Sequence, residues 1–208
     1  MSDISAQFQA DFDVSRETLE HLQTLEVLLR KWNKAINLVS AATLSEVWTR
    51  HFADSAQIFA LAPENTLHWA DLGSGAGFPG LVIAILAKEK QPDLAVTLVE
   101  SDHRKSAFLL TAVRELGLKA DVIAERIEET ENLDCDVLSA RALAPLSKLL
   151  EFSGRHLADR GVALFPKGAR WEEEVASARE NWSFDLQVSP SRSDPSGVIL
   201  KISGAKRV

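Results

Sequence analysis

Apolar residues recur three or four positions apart through the first sixty residues, and this spacing predicts helices. One stripe covers Leu19–Leu29, and Ser15 stands before it where a helix N-cap is expected. The polar stretch Asn33–Asn37 interrupts the pattern. A second helix is predicted from about Thr43, ending near Pro63.

From residue 67 onward the pattern changes to short β-like runs that alternate with helical stretches. The predicted strands are Leu67–Leu72, Val96–Glu100, Asp121–Ala124, Val137–Ala140, Val162–Phe165, Phe184–Val188 and Val198–Ile202. The predicted helices are Gly80–Lys90, His103–Leu116, Leu146–Leu157 and Trp171–Asn181.

This order predicts an α/β fold whose mostly parallel sheet ends in a hairpin. The segment Pro190–Gly197 is rich in turn-forming residues and is predicted to be the hairpin loop. We therefore expect an N-terminal helical extension over residues 1–62 and the α/β domain over residues 63–208.

The composition is that of a soluble globular protein, with 208 residues, 46% apolar and 25% charged. The single cysteine, Cys135, excludes a disulfide within the chain and a cysteine-based zinc cluster, so a reducing cytoplasm is expected. No secretory signal is recognisable at the N-terminus. The longest apolar run, Leu81–Ala87, is far below the roughly 20 residues of a membrane span.

The net charge of −7 argues against a protein that holds nucleic acid by bulk positive charge. The charge is uneven, since residues 61–139 carry a net −7 and residues 140–208 a net +3. A local phosphate-binding face therefore stays possible beside the alternative of charges scattered over a solvated surface. Candidates for such a face are Lys31, Lys34, Arg50, Lys148, Arg155, Lys167, Lys206 and Arg207.

The first strand runs into a glycine-rich turn, Asp71–Gly80, that fits two nucleotide-binding patterns. Its last six residues match the G-x-G-x-x-G of dinucleotide sites, and its acidic-x-G-x-G-x-G portion matches sites for S-adenosylmethionine (SAM). A carboxylate at Asp71 disfavours a pyrophosphate but suits the cationic groups of SAM. Pro79 also removes an N–H that a pyrophosphate would use. SAM is favoured over NAD, and no metal site is predicted.

The other strand ends carry further candidates for a nucleoside cofactor and its substrate. Glu100 follows the second strand where an acidic residue accepts hydrogen bonds from ribose hydroxyls, and Ile127 is placed to pack on adenine. Arg141 offers a planar donor fork to a carboxylate or a base edge. Lys167 is a candidate for a phosphate contact. Cys135 precedes the fourth strand, at the wrong end for a nucleophile, so C5 methylation of a pyrimidine is not expected.

Together these segments resemble the RsmG family, formerly GidB, of bacterial methyltransferases. The resemblance covers nearly the whole chain and rests on Trp32–Lys34, Ile36–Leu38, Arg50–Phe52, Asp54–Ser55, Asp71–Gly80, Arg126–Glu129, Ser139, Arg141–Ala142 and Lys167–Gly168. It implies a Rossmann-like class I SAM-dependent methyltransferase with a seven-stranded sheet and helices on both faces.

The activity that the resemblance implies is methylation of N7 of one guanine in 16S ribosomal RNA, within a small-subunit particle and without DNA or membrane partners. The implied cofactor contacts are Gly73, Gly75, Phe78, Glu100, Ile127, Glu128 and Arg141. Arg50, His51 and Lys167 are candidates for the RNA surface. Guanine N7 has a lone pair and no proton, so no catalytic base is expected and catalysis is by positioning.

Three alternatives remain at this stage. A SAM-dependent methyltransferase acting on a small molecule would share the cofactor residues. An NAD-linked oxidoreductase lacks a proton donor at the fourth strand. A non-catalytic RNA-binding module would bind SAM without turnover.

Overall fold

A computed structural model describes residues 3–208 and contains the predicted three layers, a seven-stranded sheet with helices on both faces. The strands are β1 His68–Leu72, β2 Ala95–Val99, β3 Ala120–Ile123, β4 Cys135–Ala140, β5 Leu157–Lys167, β6 Trp182–Pro190 and β7 Val198–Arg207. The helices are α1 Asp3–Phe12, α2 Arg16–Trp32, α3 Ala41–Ser45, α4 Ala53–Ala60, α5 Gly80–Lys90, α6 His103–Leu116, α7 Leu146–His156 and α8 Trp171–Arg179.

The strand order in the sheet is β3-β2-β1-β4-β5-β7-β6, and among these seven strands β7 alone runs opposite to the others. After β1 the chain moves outward to β2 and β3, and it then returns to the other side of β1 with β4. The loops that follow β1 and β4 therefore diverge, and ligands of open α/β sheets bind at this switch point. The sheet confirms the predicted fold class, its seven strands and its closing hairpin.

Side chains alternate between the two faces of the sheet, and each face has its own hydrophobic core. In β1, Trp69 packs on the side of α5 and α6, whereas Ala70 and Leu72 pack on the side of α7 and α8. Asp71 alternates with these residues and so shares the face of Trp69. This placement sets the carboxylate of Asp71 beside the start of α5.

Helix α5 is buried on every side, which explains the uninterrupted apolar run Leu81–Ala87. Its outer side is covered by α2 and α4, so the N-terminal helices share one hydrophobic core with the sheet. The start of α2 is also tied to the end of α5, because Thr18 Oγ1 donates to Glu89 Oε2 at 2.5 Å. The boundary between residues 62 and 63 stays a prediction.

The N-terminal cap of α2 is confirmed, since Ser15 Oγ accepts from the backbone N–H of Thr18. The single second helix predicted from Thr43 is wrong in detail. Helix α3 ends at Ser45, the backbone leaves the helical region at Glu46, and a π-helical turn over Trp48–Phe52 leads into α4. Turns of this wider kind are frequent at functional sites. Within residues 3–208, no helix has the length and apolarity needed to cross a membrane.

Candidate active site

The glycine turn after β1 uses backbone conformations that only glycine adopts without strain. Gly73, Gly75 and Gly77 have φ angles of 64°, 55° and 85°. Gly80 is required for another reason, since a Cβ there would lie 2.2 Å from Leu98 Cδ2 and 2.8 Å from Asp71 Oδ2. The turn therefore brings bare backbone to the carboxyl edge of the sheet and starts α5 against β2.

Asp71 is fully buried and stabilises this turn from the side of the hydrophobic core. One carboxylate oxygen accepts from the backbone N–H of Gly80 at 3.1 Å, and the other accepts from Ser139 Oγ at 2.7 Å. Burial raises the pKa of Asp71 to about 6, although these hydrogen bonds oppose the shift. This carboxylate, expected from the sequence to suit the cationic groups of the ligand, instead points inward, where it joins β1, β4 and α5.

A cavity of about 260 Å³, which we call the small cavity, opens in front of the glycine turn. Its walls include Gly73, Gly75, Glu100, Ile127 and Arg141, which are five of the seven predicted cofactor contacts. Glu100 is buried at the end of β2. Its carboxylate accepts from the N–H of Gly75 and from the N–H of Asp102, each at 2.8 Å, so it holds the two loops in register.

The wall of the small cavity that contains Ile127 is supported by a buried histidine. His156 Nε2 lies 3.3 Å from the carbonyl oxygen of Ile127, and His156 is fully buried at the end of α7. Glu128, by contrast, is exposed and does not line the cavity; its carboxylate lies 4.0 Å from Lys148 Nζ. The structure thus brings Ile127 to the cavity and directs the side chain of Glu128 away from it.

A larger cavity of about 770 Å³, the large cavity, lies on the other side of the loop that follows β4. Its walls come from the π-helical turn and α4, the ends of β4 and β5, the start of α8 and the hairpin loop. Residues 141–143 line both cavities and form their boundary. Leu143 leans over the glycine turn, so that a Cβ on Gly73 would meet its Cδ1 at 2.6 Å.

Arg141 is fixed at this boundary by three contacts. Its Nη1 lies 2.9 Å from His51 Nδ1 and donates to the carbonyl of Arg50 at 3.3 Å. Its guanidinium lies over the ring of Phe78, 5.2 Å from the ring centroid. Since arginine is always a donor, His51 Nδ1 is the acceptor and the proton of a neutral ring is on Nε2.

His51 is buried and stacks on Phe78, with ring centroids 4.7 Å apart and planes 10° from parallel. Burial, followed by the charges of Arg141 and Arg50, lowers its pKa to about 3. His51 therefore stays neutral in ordinary buffers. Phe78 is itself buried and lies beneath Arg141, not on the lining of either cavity.

Lys167 lines the large cavity, but its ammonium has internal partners. Nζ donates to Glu174 Oε2 at 2.7 Å and to the carbonyl of Ala144 at 2.9 Å. Glu174 also accepts from the N–H of Leu146 at 2.9 Å. Lys167 and Glu174 thus hold residues 144–146, which follow the boundary residues 141–143. Arg50 is exposed, and within residues 3–208 its guanidinium pairs with the half-exposed Glu46 at 3.8 Å.

The hairpin loop is tied to α4 across more than 130 positions of sequence. Asp54 Oδ1 accepts from Ser193 Oγ at 2.5 Å and from Ser191 Oγ at 3.2 Å. Gln57 adds two bonds, donating to the carbonyl of Pro190 at 2.6 Å and accepting from the N–H of Arg192 at 2.9 Å. These contacts close the large cavity on the side of the hairpin.

The small cavity suits a nucleoside without phosphates better than a dinucleotide. Glu100 and Glu125 both line it, and the helix behind the glycine turn begins after Pro79, which has no N–H to give. Lys105 and Arg141 line the cavity as well, so the charges of its lining balance. The carboxylate of Glu100 can accept from ribose hydroxyls, and the missing N–H of Pro79 leaves a pyrophosphate one donor fewer. The residues present therefore fit SAM.

Comparison with known sequences decides the family. A model of the family described as rRNA small subunit methyltransferase G matches residues 18–193. The ribosomal RNA small subunit methyltransferase G of Ruegeria sp. is 53% identical over 198 residues, covering 95% of this chain and 96% of the relative. That of Rhodospirillum centenum is 54% identical over 196 residues, covering 94% and 88%. The chain belongs to this family.

Membership in the rRNA small subunit methyltransferase G family confirms the resemblance predicted from the sequence. It also favours an RNA methyltransferase over the small-molecule alternative. Solved structures agree on the fold. A methyltransferase from Geobacter sulfurreducens has a TM-score of 0.59, at 15% identity over 88% of each chain. M. jannaschii TYW2 in complex with AdoMet has a TM-score of 0.56, at 18% identity over 82% of this chain and 78% of that one.

Sequence reasoning missed two parts of this family member's site. Glu174, which anchors Lys167, stands in an acidic run at the start of α8 that gave no local signal. The tie between Asp54 and the serines of the hairpin was not expected either, although both segments had been noticed. An exposed-looking aspartate and a serine-rich loop carry no pattern that pairs them across the chain.

Proposed function

We propose that this protein transfers the methyl group of SAM to N7 of one guanine in 16S ribosomal RNA. Family membership supports the reaction class, and the observation that carries the mechanism is the shared boundary of the two cavities. A cofactor in the small cavity and a base in the large cavity would meet at residues 141–143. We further propose that the protein acts in the cytoplasm.

SAM, when bound, supplies an electrophilic methyl group on a sulfonium. The chain's own residues position it. Gly73 and Gly75 allow close approach of the backbone, and Glu100 offers its carboxylate to the ribose hydroxyls while bonding the N–H of Gly75. Ile127 provides the apolar wall for adenine, and Asp71 keeps the turn closed from behind.

The substrate base needs no activation, because guanine N7 carries a lone pair and no proton. The enzyme's work is therefore alignment and exclusion of water, which supply roughly 7–11 kcal/mol in favourable cases. Arg141 suits this role, since His51, Phe78 and the Arg50 carbonyl fix it at the boundary. The neutral His51 adds no competing positive charge beside a base that becomes cationic.

The reaction is tested by incubating the purified protein with methyl-labelled SAM and small-subunit particles from a strain that lacks the family enzyme. Nuclease digestion and mass spectrometry are expected to find the label in 7-methylguanosine at one position of 16S RNA. The matched control is Arg141→Met, which is expected to remove most of the incorporation. Label in no RNA nucleoside, or only in a small molecule, contradicts the proposal.

We also propose that the RNA is recognised within a small-subunit particle. With a net charge of −7, the protein gains little from bulk attraction to naked RNA. Initial rates on particles are expected to exceed those on protein-free 16S RNA at equal concentration. Equal rates on the two substrates would contradict this part of the proposal.

A further inference from the structure

Asp54 has one carboxylate oxygen committed to the fold and one left open. Oδ1 accepts both hairpin hydroxyls, from Ser191 and Ser193. Within residues 3–208, Oδ2 has no hydrogen-bond partner and is not among the buried polar atoms without one. The side chain lines the large cavity. Asp54 therefore offers a free acceptor, held in place by its other oxygen.

This acceptor lies in the large cavity, which is the one proposed for the substrate base. The negative charge of Asp54 is close enough to Arg141 to raise the pKa of its guanidinium, against the lowering that burial causes. Arg141 stands at the boundary of the two cavities. Asp54 also follows His51 by three positions where the π-helical turn enters α4, and His51 Nδ1 lies 2.9 Å from Arg141 Nη1. Asp54 thus lines the cavity proposed for the substrate, beside the residues that hold Arg141.

Two other acidic groups of this cavity also have one carboxylate oxygen held by two hydrogen bonds. Glu174 accepts from Lys167 and from the N–H of Leu146. Asp194 Oδ1 accepts the N–H and the hydroxyl of Ser196, at 2.9 and 2.7 Å. Glu173 is exposed at the start of α8 and has no contact that holds its side chain among the described residues. Of the three held carboxylates, Asp54 is the one beside the residues that fix Arg141, because it lies on α4 directly after the turn that carries Arg50 and His51.

Guanine presents two adjacent donors, N1–H and the N2 amino group, on its Watson–Crick edge, whereas adenine presents an acceptor at N1. A carboxylate is an acceptor that suits such an edge, and enzymes that act on single bases read this edge by hydrogen bonds. We propose that Asp54 binds the Watson–Crick edge of the target guanine and selects guanine over other bases. The inference rests on the proposed function.

This contact leaves the reactive atom free and grows stronger during the reaction. N7 lies on the opposite side of the purine from N1 and N2, so a base held through that edge can face the boundary with N7. As the N7 lone pair forms the new bond to carbon, the electron pair of the S–CH₃ bond passes to sulfur and no proton leaves N7. The base becomes cationic, and Asp54 then stabilises it more than the neutral base.

The test uses Asp54→Asn, because asparagine keeps an acceptor for the hairpin serines and replaces the free oxygen by an amide donor. Methylation is measured on reconstituted particles that carry guanine or inosine at the mapped target, since inosine lacks the N2 amino group. For the wild type we expect kcat/KM to be at least about 10-fold higher with guanine. Asp54→Asn is expected to lower kcat/KM for guanine about 100-fold and to bring the guanine-to-inosine ratio within about 3-fold.

A purely structural role of Asp54 is separated by two measurements. The double variant Ser191→Ala/Ser193→Ala removes the hairpin tie but keeps the carboxylate. Because the carboxylate is then held less firmly, kcat/KM is expected to fall less than in Asp54→Asn, and guanine is expected to stay preferred over inosine. Calorimetry is expected to give Asp54→Asn the wild-type affinity for SAM. Glu173→Gln, which removes a charge from the same cavity, is also expected to retain the wild-type ratio.

Three results would overturn the inference. The first is a wild-type guanine-to-inosine ratio in Asp54→Asn. The second is a loss of this ratio in the serine double variant that is as complete as in Asp54→Asn. The third is the same loss in Glu173→Gln. The proposed function fails separately, when the wild-type protein methylates no guanine of the particle. The inference then fails with it.

Discussion

The two cavities are built in different ways although they share a wall. The small cavity is made largely of backbone and of side chains that fasten it, with Asp71 and Glu100 bonded to N–H groups of neighbouring loops. The large cavity is made of side chains from distant segments, joined by contacts such as Arg141 to His51 and Asp54 to Ser193.

This difference separates what each cavity requires from the sequence. A cavity lined by backbone requires glycines at fixed positions, because a side chain there would clash with neighbouring atoms or strain the backbone. A cavity lined by side chains requires instead that residues from several elements come together when the chain folds. Each element contributes one or two of these residues. Substitutions in the small cavity are therefore expected to act on stability and cofactor binding together, whereas those in the large cavity act mainly on the substrate.

The largest effect is expected from Gly80→Ala. Its new Cβ would lie 2.2 Å from Leu98 Cδ2 and 2.9 Å from Asp71 Cβ, both in the packed interior. The free energy of unfolding is expected to fall by at least about 3 kcal/mol, with loss of SAM binding. Denaturant unfolding and calorimetry measure the two effects.

The matched control is Gly154→Ala at an exposed position of helix α7, where an added Cβ meets nothing within 4 Å. This variant is expected to raise the stability by up to about 1 kcal/mol, because alanine favours helix more than glycine does. Equal stability losses in the two variants would contradict the steric argument.

Next in size is Arg141→Lys, which keeps the positive charge but loses the planar fork. A lysine cannot reproduce the bonds to His51 and Arg50 together with the stacking on Phe78. We expect kcat/KM on particles to fall about 100-fold. Arg179→Lys, which changes an arginine that lies over Phe184 outside both cavities, is expected to keep wild-type activity. Wild-type activity in Arg141→Lys would show that charge alone is sufficient.

A pH effect of about 2 kcal/mol is expected from Asp71. Burial raises its folded pKa to about 6, above the ordinary value of 3.8, so the folded state binds the proton more tightly than the unfolded state. This group therefore costs stability as the pH rises from 4 to 7. The stability of the wild type relative to Asp71→Asn is expected to fall over that window, measured by urea unfolding at each pH. A constant difference would contradict the burial of the charge.

A smaller effect is expected from Lys167→Met, about 1 kcal/mol of stability, because the partly exposed Glu174 loses its partner. The salt dependence of RNA binding is expected to stay unchanged, since the ammonium is already occupied. Arg50→Gln, at an exposed guanidinium, is expected to reduce the salt slope by about 0.7. A reduced slope in Lys167→Met would assign Lys167 to a phosphate contact instead.

The sequence was most informative where neighbours in the chain are also neighbours in space. The turn Asp71–Gly80, the strands, and the cap at Ser15 follow from local pattern, and the structure has each of them. Local pattern did not give the orientation of Asp71, because a carboxylate after a buried strand is equally compatible with facing ligand or core. The bond from the N–H of Gly80 lies within the turn, but the bond from Ser139 comes from β4 and depends on packing between distant segments.

The same reason limited the substrate side. The π-helical turn that places His51 was predicted as ordinary helix, because the spacing of apolar residues differs little between the two. Lys167 was noticed as a cation at a strand end, but its pairing with Glu174 depends on how α8 packs. Residues of the large cavity become neighbours only through the fold.

The separation of the two ligands between the two cavities is tested most directly by amide hydrogen exchange, measured with S-adenosylhomocysteine alone and then with small-subunit particles added. S-adenosylhomocysteine alone is expected to protect the segments around Gly73–Gly75, Glu100–Asp102 and Glu125–Ile127. Added particles are expected to extend protection to Arg50–Asp54 and Ser191–Asp194. Protection of the second set by S-adenosylhomocysteine alone, with the glycine turn unchanged, would contradict the assignment of the cofactor to the small cavity.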